Sequence, residues 1–332
     1  MVLVTGASGS LGPSVVKALC ERKYRVRILC RNLPMRDAFP ANVEMHRGDV
    51  TNPLDIRAAM GNVKSVIHLA ALLHIFKPSR ELSELYEETN VGGTLNVTNE
   101  SIRAGVRRLV FSSTVSVYGQ SRGQILTEDS PANPDTYYSR SKLKAERIVL
   151  DAKVHDAPIG TVLRLGAVYG PRVKGNYRKL LMALARHSFV QIGAGQNRRT
   201  LIYDKDAANA ILLAMNHPSV VGKLYNVSDG SLHTINEIVE AMCLALGRKE
   251  SGISLPLTPF RAAAVLIDSF SRIMGFRRVA IKSMIDKYVE DVAVSSKRFR
   301  EDTGFVPRQD LLLGWRETVD EIRRSGDLPC KA

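Results

Sequence analysis

The chain has 332 residues, 45% hydrophobic, 24% charged and 6% aromatic, a composition that excludes disordered, fibrous and membrane-embedded classes. Its 47 lysines and arginines exceed 33 acids, for a formal net charge of +14, which favours anionic partners such as phosphorylated small molecules, nucleic acid or an acidic membrane face. No basic run is interleaved with aromatics as single-strand binders require, so nucleic acid is not expected and most of the charge reads as solvated surface. The four cysteines, Cys20, Cys30, Cys243 and Cys330, form no C-x-x-C, and the scattered histidines show no ligand spacing. That predicts neither disulfides nor a metal, in a reducing, cytoplasmic setting.

Val2-Leu3-Val4 opens the chain as a short apolar strand, leaving no room for a signal peptide. A glycine-rich turn and an amphipathic helix from about Ser10 to Arg22 follow. Strands are predicted over Arg25–Cys30, Val43–His46, Ser65–Leu69, Arg108–Ser112 and Gly160–Leu165, with helices over Pro53–Met60, Asn90–Arg103 and Tyr138–Ala152. Alternation at this spacing implies a parallel, doubly wound sheet. The pattern loosens after Gly170, Leu224–Val227 reads as a strand returning to the sheet, and helices and loops follow from His233. The expected architecture is α/β: a Rossmann-type domain over 1–170 with a returning strand near 222–230. A smaller C-terminal substrate-binding lobe is expected over 171–221 and 231–332. Phe260–Ile273 is the most apolar late segment, but Arg261, Asp268 and Arg272 interrupt it. It is too short and charged to span a bilayer, and a helix packed on its own domain is preferred to one lying on a membrane.

Residues 5–12 read Thr-Gly-Ala-Ser-Gly-Ser-Leu-Gly. Gly6, Gly9 and Gly12 thus stand between the first strand and first helix, where glycines permit a tight turn and close approach of backbone to a pyrophosphate. The helix N-terminus offers free N–H groups to its charge. This context points to a dinucleotide. After the second strand comes Cys30-Arg31-Asn32 rather than an acid, and Asp37 lies beyond Pro34. Arg31 suits a 2′-phosphate, so NADP(H) is favoured, with NAD possible. Asp49 is placed either to accept from the adenine amino group or to cap the helix near Pro53.

Tyr138-Ser-Arg-Ser-Lys142 is Y-x-x-x-K. On a helix, i and i+4 share a face, and a nearby ammonium should lower the phenol pKa toward the working pH, making it a general acid and base. The strand end Ser112-Ser113-Thr114, with Ser116 beyond it, offers hydroxyls to a reacting oxygen; Thr114 is the candidate.

These motifs, with Gly48-Asp49-Val50, His68-Leu69-Ala70-Ala71, Asn90-Val91-x-Gly93-Thr94, Arg164 and Val168-Tyr169-Gly170-Pro171, make the chain resemble the extended short-chain dehydrogenase/reductases, the NAD-dependent epimerase/dehydratases. The resemblance covers nearly the whole chain. It implies Tyr138 as proton donor and acceptor, Lys142 on the nicotinamide ribose, and Thr114 polarising the substrate oxygen. It further implies a cofactor lined by Gly6, Ser8, Gly9, Ser10, Leu11, Gly12, Arg31, Asn32, Asp49, Val50, Leu69, Ala70, Ala71, Asn90, Ser112, Lys142 and Leu165. Family members often form homodimers through the Tyr–Lys helix.

The run from Gly193 and Gly195 through Arg198, Arg199, Tyr203 and Asp206 is similar to the stretch of nucleotide-sugar enzymes whose arginine holds the sugar-nucleotide diphosphate. The match implies Arg199 as phosphate ligand, Arg198 in reserve, and Ser113, Thr114, Asn176 and Tyr203 around the substrate. Val115 and Ser116 stand where 4,6-dehydratases carry Asp and Glu, which argues against dehydration. Ala167 stands where UDP-hexose 4-epimerases typically carry Asn. With Cys30-Arg31, these departures lean toward reduction of a 4-keto nucleotide sugar by NADPH. A nucleotide-sugar 4-epimerase with bound NAD is the alternative. A reductase of a hydrophobic, sterol-like ketone and a non-catalytic redox sensor are further readings.

Overall fold

Short apolar runs closed by turns build the sheet: β1 (Val2–Thr5), β2 (Val26–Cys30), β3 (Glu44–Arg47), β4 (Ser65–His68), β5 (Arg108–Thr114), β6 (Gly160–Leu165) and β7 (Leu224–Val227). The computed structural model describes residues 1–35, 38–73, 80–249, 254–259 and 286–328. Asp37 and the segment Phe260–Ile273 lie outside the described residues. The seven strands are all parallel, in the order β7-β6-β5-β4-β1-β2-β3. The order reverses at β1, between β2 and β4, so a crevice opens beyond the carboxyl ends of β1 and β4.

The helices are α1 (Gly12–Glu21), α2 (Pro53–Ala59), α3 (Arg80–Tyr86), α4 (Gly93–Arg103), α5 (Tyr137–Leu150), α6 (Gly175–Ala185), α7 (Asp204–Asn216), α8 (Ile235–Leu246), α9 (Lys297–Thr303) and α10 (Leu311–Arg324). One face of the sheet packs on α1, α7 and α9 through Val16, Leu19, Ile211, Met215 and Phe299. The other packs on α2, α4 and α5 through Ile56, Val97, Ala145 and Val149. A separate apolar cluster joins α6, α8 and α10 through Leu181, Ile238, Met242, Trp315 and Val319. The stretch 171–221, expected to lie wholly in the lobe, is therefore divided. α6 belongs to that separate cluster, whereas α7, with Ala207, Ala208, Ala210 and Ile211 all buried, packs on the sheet.

Two element boundaries differ from the sequence expectation for identifiable reasons. α1 starts at Gly12 rather than Ser10, with a proline in its first turn, where the missing N–H has no helical partner to lose. The long helix expected from Asn90 is broken: Glu87–Gly92 is a π-helix that passes into α4. Asn90 is drawn inward, its Oδ1 accepting from Leu72 N–H at 2.7 Å and its Nδ2 donating to Ser141 Oγ at 3.0 Å. Such π-turns are rare and concentrate at functional sites.

Candidate active site

The glycine loop is built by two close approaches and one open position. Gly6 has φ +72°, and a Cβ on it would lie 2.5 Å from Ala70 N. A Cβ on Gly12 would lie 2.2 Å from Ala7 O. Gly9 differs: its Cβ would meet only Gly6 O, at 3.1 Å. The backbone there stays open to an approaching group. The N-cap of α1, Leu11, supplies no capping side chain, and no acid occupies the first turn. The helix N–H groups and positive helix end are thus left to an anion. Ser8 is exposed, Ser10 half-buried and Leu11 buried beneath the loop. A cradle of this shape and charge fits a pyrophosphate. Gly12→Ala is expected to abolish dinucleotide binding in a fluorescence titration and lower stability by more than about 2 kcal/mol, because backbone rather than a flexible side chain would have to shift.

At the far end of this loop stand Arg31 and Asp49, beyond β2 and β3. Arg31 is 73% exposed, its Nε 3.9 Å from Asp49 Oδ2, a spacing worth little at the surface. Asn32 is exposed and Val50 buried. Asp49 does not cap α2. Asn52 does, accepting from Leu54 N–H at 3.0 Å, while Asp49 Oδ1 accepts from Thr51 N–H and Oγ–H. Asp49, in the turn that follows β3, is thus the acid nearest Arg31 among the described residues.

Tyr138 and Lys142 lie in the first half of α5, whose start is held by a capping box between Thr136 and Ser139. Lys142 is 2% exposed, and its Nζ rests 3.9 Å from the Phe111 ring centroid. Burial lowers its pKa to about 7, partly offset by Glu146. Tyr138 moves against expectation. Burial, with Tyr86 second, pushes its phenol up to about 12; the two rings are 6.2 Å apart. The ammonium sits over Phe111, and desolvation outweighs any help it gives the phenolate.

Thr114 ends β5, the strand that carries Phe111, its Oγ1 accepting from Ser116 N–H at 3.2 Å. Ser112 and Thr114 are half-buried on one side of the strand. Strand alternation turns Ser113 the other way. It is 4% exposed and donates to Glu146 Oε1 at 2.5 Å. Ser113 is thus corrected from a substrate contact to part of a buried network in which Arg164 Nη2 reaches Glu146 Oε2 at 2.6 Å. Asn90 needs a similar correction. At 1% exposure, its amide is engaged with Leu72 and Ser141 rather than presented to a cofactor. Leu69, Ala70 and Ala71 are half-buried beyond β4, and Leu165 is buried at the end of β6.

The two adjacent arginines separate cleanly. Arg198 is bound by Asp291 through Nε at 3.1 Å and Nη2 at 2.7 Å. Arg199 donates from Nη2 to the carbonyls of Lys287 at 2.7 Å and Tyr288 at 3.0 Å. Among the described residues no carboxylate lies within 4 Å of it. Its charge acts on the phenols of Tyr177 and Tyr288, opposing the burial that pushes both up to about 12. Asp291 and Val292 tie the short strand Arg198–Arg199 to the loop beyond β5: Val292 N–H donates to Arg198 O, and Ser121 N–H to Asp291 O. Asp291 and Tyr288 escaped the sequence reading, since 93 residues separate Asp291 from Arg198 and no local pattern marks either. Tyr86 escaped it too, lying outside every motif. Asn176 is exposed in the first turn of α6. Tyr203 is corrected: it is 1% exposed, with its ring 5.4 Å from Tyr169 in the α6–α8–α10 cluster, because its position on a strand leading into α7 turns it to the core. Among the described residues no helix is long and apolar enough to cross a membrane, and no three metal-ligating side chains converge.

Comparison with known proteins adds to this geometry. A family model described as NAD dependent epimerase/dehydratase family matches residues 2–228. The UDP-glucose 4-epimerase of Vibrio cholerae is 26% identical over 334 residues, covering 98% of this chain and 96% of the relative. The N-acetyl-alpha-D-glucosaminyl-diphospho-ditrans,octacis-undecaprenol 4-epimerase of Escherichia coli O157:H7 is 25% identical, covering 96% and 94%. MoeE5, solved in complex with UDP-glucuronic acid and NAD, superposes with TM-score 0.76 at 26% identity, covering 98% and 99%.

Proposed function

Because the chain belongs to the NAD dependent epimerase/dehydratase family, we propose that it is an NAD-dependent enzyme that inverts a hydroxyl-bearing carbon of a nucleoside diphosphate sugar. The observation that carries the substrate class is Arg199, a half-buried guanidinium held by two neutral carbonyls and facing no carboxylate among the described residues. A positive charge so placed suits a diphosphate. The epimerase reading is supported by relatives named as 4-epimerases over almost the full length.

In this proposal the glycine loop and α1 hold the dinucleotide pyrophosphate, and Leu69, Ala70, Ala71, Ser112 and Leu165 line the rest of its site. A dinucleotide held there would supply reversible hydride transfer at the sugar carbon. Tyr138 takes the sugar hydroxyl proton as that carbon is oxidised and gives it back on reduction. Thr114 hydrogen-bonds the same oxygen, and Lys142 supports the negative charge on the phenolate. The side of the molecule built on α6, α8 and α10 binds the nucleotide end. Val115 is apolar and buried, and Ser116 carries only a hydroxyl, so the two positions lack the carboxyl groups of an acid–base pair for dehydration.

Net reduction of a 4-keto nucleotide sugar by NADPH is the second reading, favoured by the exposed Arg31 beyond β2. The hydrophobic-ketone reading would have been favoured by an Arg199 turned to solvent; instead it is engaged with the 287–288 carbonyls. The test is to titrate the protein with NADH and NADPH, then supply UDP-glucose, UDP-N-acetylglucosamine and a 4-keto derivative. Interconversion of sugars with no net change in cofactor is the expected result. Stoichiometric NADPH oxidation by the keto sugar alone would replace epimerisation with reduction. Arg199→Ala should raise the sugar KM about 10- to 100-fold, the loss of one charge-assisted contact, with dinucleotide affinity unchanged.

A further inference from the structure

His68 ends β4 with none of its surface exposed, and all of its hydrogen-bonding capacity is assigned by its neighbours. Thr94 Oγ1 donates its one proton to Asn90 O at 2.6 Å. It can therefore only accept from His68 Nε2, 3.1 Å away. Nε2 carries the proton, and Nδ1 accepts from Thr5 Oγ1 at 2.6 Å. Thr5 Oγ1 in turn accepts from Ala70 N–H at 3.3 Å. The result is one directed chain, Ala70 to Thr5 to His68 to Thr94 to Asn90, in which every proton has a single place. Burial keeps the imidazole neutral, lowering its pKa to about 3, with the Lys142 charge acting the same way.

The two ends of this chain grip functional backbone. Ala70 N is the atom that Gly6 approaches so closely that no Cβ fits between them. Asn90 clamps Leu72 through both its N–H and its C=O, at 2.7 and 3.2 Å. It also donates to Ser141 Oγ, which donates to Tyr138 O at 2.8 Å. The segment 70–72 is thus held at both edges, and the same links reach the helix that bears Tyr138.

We propose that His68, locked as the neutral Nε2-protonated tautomer, is a positioning residue that keeps the 70–72 wall and the Tyr138 helix in register with the glycine loop. The consequence for dinucleotide affinity rests on the binding reading above. A core histidine that merely fills space would tolerate loss of its partners' hydroxyls with no change in ligand affinity.

The test uses the full chain with Thr94→Val, Thr94→Ser and His68→Gln. Thr94→Val is expected to weaken dinucleotide binding about tenfold, the loss of one buried network link, with the sugar KM unchanged. Thr94→Ser should restore it. Nitrogen-15 NMR of histidine-labelled protein, with the His68 signals identified by their loss in His68→Gln, should show a neutral Nε2–H ring from pH 6 to 8. Thr94→Val protein that binds dinucleotide like the parent overturns the proposal. So does a His68 ring that titrates in this range or carries its proton on Nδ1. If the parent chain binds no dinucleotide, the functional reading fails, and the NMR measurement still decides the tautomer.

Discussion

Tyr138→Phe is expected to lower turnover about 10²- to 10⁴-fold, the usual contribution of a positioned acid–base group, while dinucleotide binding and thermal stability stay near those of the parent. The phenyl ring keeps its place against Tyr86, and only the proton-carrying oxygen is lost. With its pKa pushed up to about 12 by burial, the phenol is protonated at neutral pH and stands ready as a donor. Acting as the base requires support for the phenolate from a neighbouring cation. A variant that keeps more than about a tenth of the parental kcat would remove Tyr138 from the mechanism. The measurement is kcat for sugar interconversion beside a dinucleotide titration on the same preparation.

Lys142→Met should trade activity for stability. The ammonium is buried under the sheet end, and its pKa falls from an ordinary 10.5 to about 7. Between those two values the unfolded chain binds this proton and the folded chain does not, so folding stability climbs as pH rises from about 7 toward 10.5. Below about 7 both states are protonated and the full cost of burying the charge is present. Methionine has no such cost and fills the space over Phe111. We expect Lys142→Met to be more stable by about 1–4 kcal/mol at pH 7 and below, the advantage shrinking toward pH 10, with turnover lost. Urea unfolding at pH 6.5 and 9.5 would show it. An equal or reversed difference at the two values would mean that Glu146, 1% exposed on the same helix, keeps Lys142 charged throughout. A variant at once more stable and inactive is what a lysine retained for chemistry rather than packing predicts.

Local patterns in the sequence determined much of this protein. The alternation of short apolar runs with helical periods set the seven-stranded parallel sheet, and the glycine spacing set the tight turn between β1 and α1. Both signals are short-range, written within single strands, turns and helices. The i, i+4 spacing of Tyr138 and Lys142 likewise needed only one helix. Tertiary structure decided what depends on neighbours far apart in the chain. Which of Arg198 and Arg199 remains without a carboxylate among the described residues was set by Asp291, 93 residues from Arg198. Ser113 and Tyr203 share motifs with the half-buried Thr114 and Arg199, yet strand alternation and the α6–α8–α10 cluster turned them fully inward. The phenol rose instead of falling because desolvation is a property of everything packed around Tyr138, Tyr86 included. Spacing along the chain determines which groups can share a face; only the packed interior decides how much water and charge each one meets.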